Sequence, residues 1–205
     1  MHEDFVDVAK AVPGVVVSAR YAGCDNFIGT PISGYMADKI VVSKPVAAAL
    51  AAVQAEISAQ GLALKLFDGY RPQSAVDHFM RWTADPSDNM NKSAYYPEVD
   101  KANLVKLGYL AEKSGHSRGG SVDLTLVERD DNDTWIELNM GSSWDLFDPK
   151  SHVGSTLVGA GAQANRKKLA KVMHKHGFKP YNEEWWHFTL DPEPYPNEYF
   201  DFSIE

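Results

Sequence analysis

The chain of 205 residues has a single cysteine, Cys24. An intramolecular disulfide is therefore impossible, and a cysteine-rich zinc site is excluded. Any metal must be held by histidine and carboxylate side chains. Surplus positive charge is also missing: the formal net charge is -8, and no lysine/arginine cluster interrupts it, which argues against nucleic acid as a partner. No run of roughly 18 apolar residues occurs, so no membrane span is expected. The start, Met1 to Phe5, lacks a basic segment followed by an apolar run. The expectation is a cytoplasmic protein, or a periplasmic one had a signal peptide been removed. Low-complexity tracts, repeats and linker-like composition shifts are absent too.

Hydrophobic residues at 44% and charged residues at 23% are ordinary globular values. The length suits one sizeable core, so residues 1–205 are expected to form a single domain. Val46, Leu50, Val53 and Ile57 recur at helical spacing, with Ser43 as N-cap and Gly61 as the stop. Leu62, Leu64 and Leu66 alternate as in a half-buried strand ending at Asp68-Gly69. Pro72 then suits the first turn of a helix with the stripe Ala75, Val76, Phe79 and Met80. Arg71 is thereby fixed at a strand-to-helix junction.

Ala84 to Lys92 reads as a polar loop. From Ser121 to Val127, Val122, Leu124 and Leu126 share one strand face while Asp123 and Thr125 take the other. The acidic run Asp130 to Asp133 reads as a solvated hairpin turn before Trp135 to Leu138; the glycine and distant glutamate of a calcium loop are missing. Leu169, Val172, Met173 and His176 mark a helix closed by Gly177. Trp185 to Leu190 reads as a final strand, and the Pro-rich end wraps the surface. Strands and helices mix without regular βαβ order, which predicts an α+β fold.

Metal-capable residues concentrate in Ser114 to Asp123 and in Glu183 to His187. In an unbroken strand His116 and Asp123 would face opposite ways, because their separation is odd; Gly119-Gly120 supplies the break that turns His116 round. Glu184 and His187 meet the same parity problem, solved if Glu184 lies in the turn before the strand. Two imidazoles and one carboxylate leave a tetrahedral Zn²⁺ one open position for a water. Glu184 is a candidate to take that water's proton, and Arg71 a candidate to face a developing oxyanion. From the residues alone the bland readings stay open: core or surface histidines, a surface acid, a structural arginine. His78, His174, His2 and His152 have no partner at metal spacing.

The pattern from Ser114 through His116, Ser117, Arg118 and Gly119 to Asp123, followed by Glu184, Trp186 and His187, resembles the zinc signature of the VanX-type D-alanyl-D-alanine dipeptidases. Asp68 to Pro72, Tyr95-Tyr96-Pro97, Met140-Gly141-Ser142, Gly177-Phe178, Glu193 to Asn197 and Tyr199 to Phe202 are similar as well, in family order. The resemblance implies a small α+β domain with a central, largely antiparallel sheet. It implies one Zn²⁺ per chain on His116, Asp123 and His187, with Glu184 as general base and Arg71 as oxyanion stabiliser. Tyr21, Ser114 and Asp145 are implied contacts for a small D,D-dipeptide, in the setting of cell-wall turnover and glycopeptide resistance. Asp145 can equally be a solvated loop carboxylate. Gly115 and Gly120 depart from the serines this resemblance leads one to expect. Two rival readings are a D,D- or L,D-carboxypeptidase of the same superfamily acting on longer stem peptides, and a zinc-stabilised binding module without catalysis, against which Glu184 and Arg71 argue.

Overall fold

A computed structural model describes residues 2–205. In chain order the elements are β1 (Phe5–Asp7), α1 (Val8–Ala11), β2 (Val16–Val17), β3 (Val41–Ser43), α2 (Lys44–Ser58), β4 (Leu62–Asp68), α3 (Gln73–Ala84), α4 (Lys92–Tyr95), β5 (Ser121–Arg129), β6 (Trp135–Glu137), α5 (Ala160–Lys175), β7 (Phe178–Tyr181) and β8 (Glu184–Leu190). The main sheet runs β2-β4-β5-β8-β7, with β6 paired to β5, and only the β2–β4 pair is parallel. The fold is thus α+β with a largely antiparallel sheet, as expected. Among the described residues, no helix is long and apolar enough to cross a membrane.

Helix α2 buries Val46, Leu50, Val53 and Ile57, the stripe that the i, i+4, i+7 spacing demands, each side chain contributing about 1.5–3 kcal/mol relative to exposure. It packs on β4, while α5 packs on β7 and on α2. Ser43 does occupy the N-cap position, but its side chain does not cap. Its hydroxyl instead donates to the Gly119 carbonyl at 2.7 Å, because a tertiary acceptor is within reach and Pro45 already removes one orphan N–H of the first turn. The second departure concerns β4. Six of its seven residues are buried, so it is not half-exposed. It lies between β2 and β5, with α2 against it and Trp144 stacked on Phe67 at 5.2 Å.

Helix α3 begins at Gln73, with Pro72 just outside it. Its Phe79 joins Tyr21, Phe27 and Trp144 in an aromatic cluster. At the C-terminus of α5, His176 is the capping residue and Gly177 takes φ +88°. His176 bonds Glu56 at 2.7 Å across to α2, a specific partner in addition to the helix dipole.

The polar end of the chain is a strap. Phe200 accepts from the Gln73 N–H and donates to the Ser117 carbonyl, and Tyr70 hydroxyl bonds both backbone groups of Phe202. Phe5, Tyr70, Phe200 and Phe202 pack ring against ring beneath it. The segment therefore joins the start of α3 to the loop that carries His116.

Candidate metal centre and active site

Strand register builds half of the site. Asp68 of β4, Asp123 of β5 and His187 of β8 are paired in one row across three adjacent strands, so pleating sends all three side chains the same way. Residues 116–118 form a 3-10 turn, and Gly119 follows at φ +69°, a left-handed conformation that glycine adopts without a Cβ penalty. That turn brings His116 back over Asp123, as the Gly119-Gly120 break requires.

His116 Nδ1 donates to the Gly69 carbonyl at 2.7 Å, which leaves the Nε2 lone pair free. Nε2 lies 3.1 Å from His187 Nδ1 and 3.3 Å from Asp123 Oδ1, and the last two atoms are 3.1 Å apart. Asp123 Oδ1 is buried and has no hydrogen-bond partner among the described residues. A tetrahedral ion at about 2.0–2.1 Å from each ligand needs donor atoms about 3.3 Å apart. Two imidazole nitrogens and an orphaned carboxylate oxygen in such a triangle fit Zn²⁺, with space for a further ligand on the cavity side.

Glu184 is the first residue of β8, paired with Tyr181 across the turn Asn182-Glu183. It is not in the turn itself, as the parity argument supposed. The β7–β8 ladder shifts register between Pro180 and Tyr181, and this irregularity brings Glu184 Oε2 to 3.8 Å from His187 Nδ1. Burial pushes the Glu184 carboxyl well above its ordinary value, and the charges of Asp123 and Asp145 push the same way. Burial opposes the charge on Asp123 as well, but His116 and His187 outweigh it and hold that carboxyl below its usual range. Burial also lowers His187, which favours the neutral ring a metal needs.

Arg71 N–H donates to the His116 carbonyl at 3.3 Å. Its guanidinium is gripped by Asp68 at 2.9 Å, lies 3.5 Å from Asp123 Oδ2, and rests over the Tyr21 and Phe79 rings. Asp68, 1% exposed and also bonded to Tyr35 hydroxyl, is a site residue that the sequence did not single out, although it heads the Asp68 to Pro72 block.

Asp145 is no solvated loop acid: it is 4% exposed, sits at φ +59° and accepts from Tyr21 hydroxyl at 2.6 Å. Burial and the charge of Asp123 raise its carboxyl well above the ordinary range. Ser114 Oγ accepts from the His116 N–H at 3.2 Å. All eight residues singled out from the sequence line one cavity of about 290 Å³, together with Phe79, Tyr109, Phe147, Tyr181 and Thr189. The volume is at the lower end for ligand pockets, which run to roughly 300–1,000 Å³.

The profile of the D-ala-D-ala dipeptidase family, Peptidase M15, matches residues 1–205. Proteins named D-alanyl-D-alanine dipeptidase are similar end to end, each match covering 100% of both chains: one from Enterococcus faecalis at 44% identity and one from Streptomyces coelicolor at 45%. One of that name from Escherichia coli is 34% identical, over 91% of this chain and 84% of the relative. Among solved structures, the zinc complex of the D,D-pentapeptidase VanY overlaps 76% of each chain at a TM-score of 0.44 and 14% identity, a distant likeness.

Proposed function

The chain belongs to the D-Ala-D-Ala dipeptidase family of peptidases, and on that premise we propose that it is a zinc enzyme hydrolysing free D-alanyl-D-alanine to two D-alanines. His116, Asp123 and His187 hold the ion, Glu184 is the general base, and Arg71 stabilises the oxyanion. The observation that carries this reading is the triangle of donor atoms with a buried carboxylate, Glu184, at its edge. A bound zinc supplies a Lewis acid that polarises the scissile carbonyl and acidifies water.

The chain's own groups divide the remaining work. Asp145, buried against Tyr21, receives the substrate ammonium, and the new ion pair restores its charged form. Ser114 sits at the wall of the same cavity and contacts the other end of the dipeptide. Arg71 is held by Asp68 and by two aromatic faces, so its N–H groups face the carbonyl oxygen without reorganising as negative charge develops. Glu184 takes a proton from the attacking water and returns it to the leaving nitrogen.

Residues 1–205 act as one catalytic domain in this reading, supported by a continuous cluster of buried side chains among the described residues. A cytoplasmic location goes with it, consistent with an exposed free Cys24, and cell fractionation checks that. The function itself is tested by comparing D-Ala-D-Ala, its N-acetylated form and a tripeptide ending in the same pair, with and without chelator. Free dipeptide should be cleaved about 30-fold to several thousand-fold better in kcat/KM, since loss of a buried charge pair costs on the order of 2–5 kcal/mol. Equal rates on blocked and free dipeptide favour the carboxypeptidase reading.

A further inference from the structure

His187 has two ring nitrogens and the metal needs one. Nδ1 faces Asp123 and His116, both at 3.1 Å. Nε2 points the other way along β8, to Thr189 Oγ1 at 3.4 Å. Thr189 is paired in register with Ser121 of β5, and their hydroxyl oxygens are 2.7 Å apart. Ser121 is 1% exposed, so its hydroxyl has a fixed place rather than a solvated rotor. The Asp123–His187 pair and the Ser121–Thr189 pair are thus two rungs apart on one ladder, with Val122–Phe188 between them, and so share one face.

We propose that Thr189 and Ser121 are the positioning pair for His187: Thr189 Oγ1 accepts from Nε2–H and donates its own proton to Ser121 Oγ. This fixes the tautomer with its lone pair on Nδ1 and sets the ring angle toward the ion. It rests on the metal reading above. A ligand histidine whose second N–H has no acceptor is a poorer and looser ligand, and removing such a partner typically costs about 10–100-fold in metal affinity. At 3.4 Å the contact is long, so the lower end applies.

The same arrangement accounts for Gly115, one of the two departures noted in the sequence. A Cβ at 115 would stand 2.4 Å from Ser121 Oγ. A side chain there forces the Ser121 hydroxyl to rotate away, and Thr189 loses its acceptor. Glycine at 115 and serine at 121 therefore belong together.

The test measures zinc affinity by competition with a chromogenic chelator, the visible spectrum of the cobalt-substituted protein, and thermal melting of the metal-free chain. Thr189→Val, which keeps shape and removes the hydroxyl, should weaken zinc about 10-fold and alter the cobalt bands. Thr189→Ser should restore both. Ser121→Ala and Gly115→Ala should each weaken zinc and, combined, do little more than either alone, because both break one link. If Thr189→Val fails to fold, Ser121→Ala and Gly115→Ala carry the test.

Unchanged zinc affinity and cobalt spectrum in Thr189→Val overturn the proposal, as does a loss that Thr189→Ser shares equally. His187→Ala separates this from the reading it rests on. If that variant binds zinc as tightly as the wild type, the metal assignment falls; if it loses zinc while Thr189→Val does not change, only the positioning pair falls.

Discussion

The site has a sheet-built half and a loop-built half, and they are held by different means. Asp123 and His187 sit opposite one another on paired strands, so backbone hydrogen bonds fix their spacing and the pleat fixes their direction. His116 and Arg71 sit on loops. They are held by each other's backbone, by the Gly69 carbonyl, by Asp68 and by the C-terminal strap. A strand sets two ligands at the cost of a register; a loop needs a clasp for every one. The strap supplies part of it, since Arg118, two residues after His116, forms a bidentate pair with Glu193 at 2.6 and 2.7 Å and also bonds Tyr199.

The sharpest break of this comparison is to delete a proposed zinc ligand from either half. His187→Ala or Asp123→Ala should abolish zinc binding, beyond the roughly 100-fold upper end expected for an outer partner, and take activity to background. His116→Ala should do the same, because a centre of three proposed ligands leaves no redundancy. Metal content by atomic absorption checks all three.

Next in size is Glu184→Gln. It should keep the metal and lose about 10²–10⁴-fold in kcat. Loss of zinc along with rate would make Glu184 part of the metal centre instead.

On the loop side, Arg71→Lys should lower kcat by about 10²-fold with a smaller change in KM, since an oxyanion donor acts in the transition state and a point charge cannot keep the fork that Asp68 grips. A change confined to KM would make Arg71 a ground-state binding residue.

A smaller effect is expected at the clasp. Glu193→Gln weakens a charge-assisted pair worth about 1.5–3 kcal/mol, of which surface exposure of both partners leaves a part. The melting temperature should fall, and kcat by less than about 10-fold, with zinc retained. A variant with full kcat and unchanged melting would show that the strap does not hold the His116 turn.

The smallest lies far from both halves. Hydrogen bonds from Lys175 and His176 lower the Glu56 carboxyl below its ordinary 4.5. The stability it contributes is present above pH 4.5 and lost as pH falls through the lower folded-state value, because the unfolded chain binds that proton more tightly. Glu56→Gln should therefore melt lower than the wild type at neutral pH and converge with it in acid. Melting curves from pH 7 to pH 3 report the difference.

Legibility follows the same division. The alternation around Asp123 revealed its strand and face, and Gly119 revealed the break before it, because period and chirality are local properties. Misjudged or unseen were β4, read as half-exposed; the Ser43 hydroxyl, which left its helix for the Gly119 carbonyl; and Glu184, brought to the site by an irregular ladder and not by a turn. Asp145 stood open between a solvated acid and a buried one. Asp68, Thr189, Ser121 and the Arg118–Glu193 clasp gave no local signal of the parts read for them here: the Ser121–Thr189 and Arg118–Glu193 partners lie 68 and 75 residues apart along the chain, and the short-range contacts are two, Asp68 with Arg71 and Thr189 with His187.

By itself the sequence determined which residue types can bind a metal, which strands and helices carry them, and, through the order of its motifs, the family. Only the tertiary structure decided that three donor atoms meet at tetrahedral spacing, that Asp145 and Glu184 lose their water, and that the second nitrogen of His187 faces a hydroxyl. The reason is that secondary structure answers to neighbours along the chain. Burial, charge and ligand geometry answer to neighbours in space, which here come from β4, β5, β8 and the C-terminal strap together.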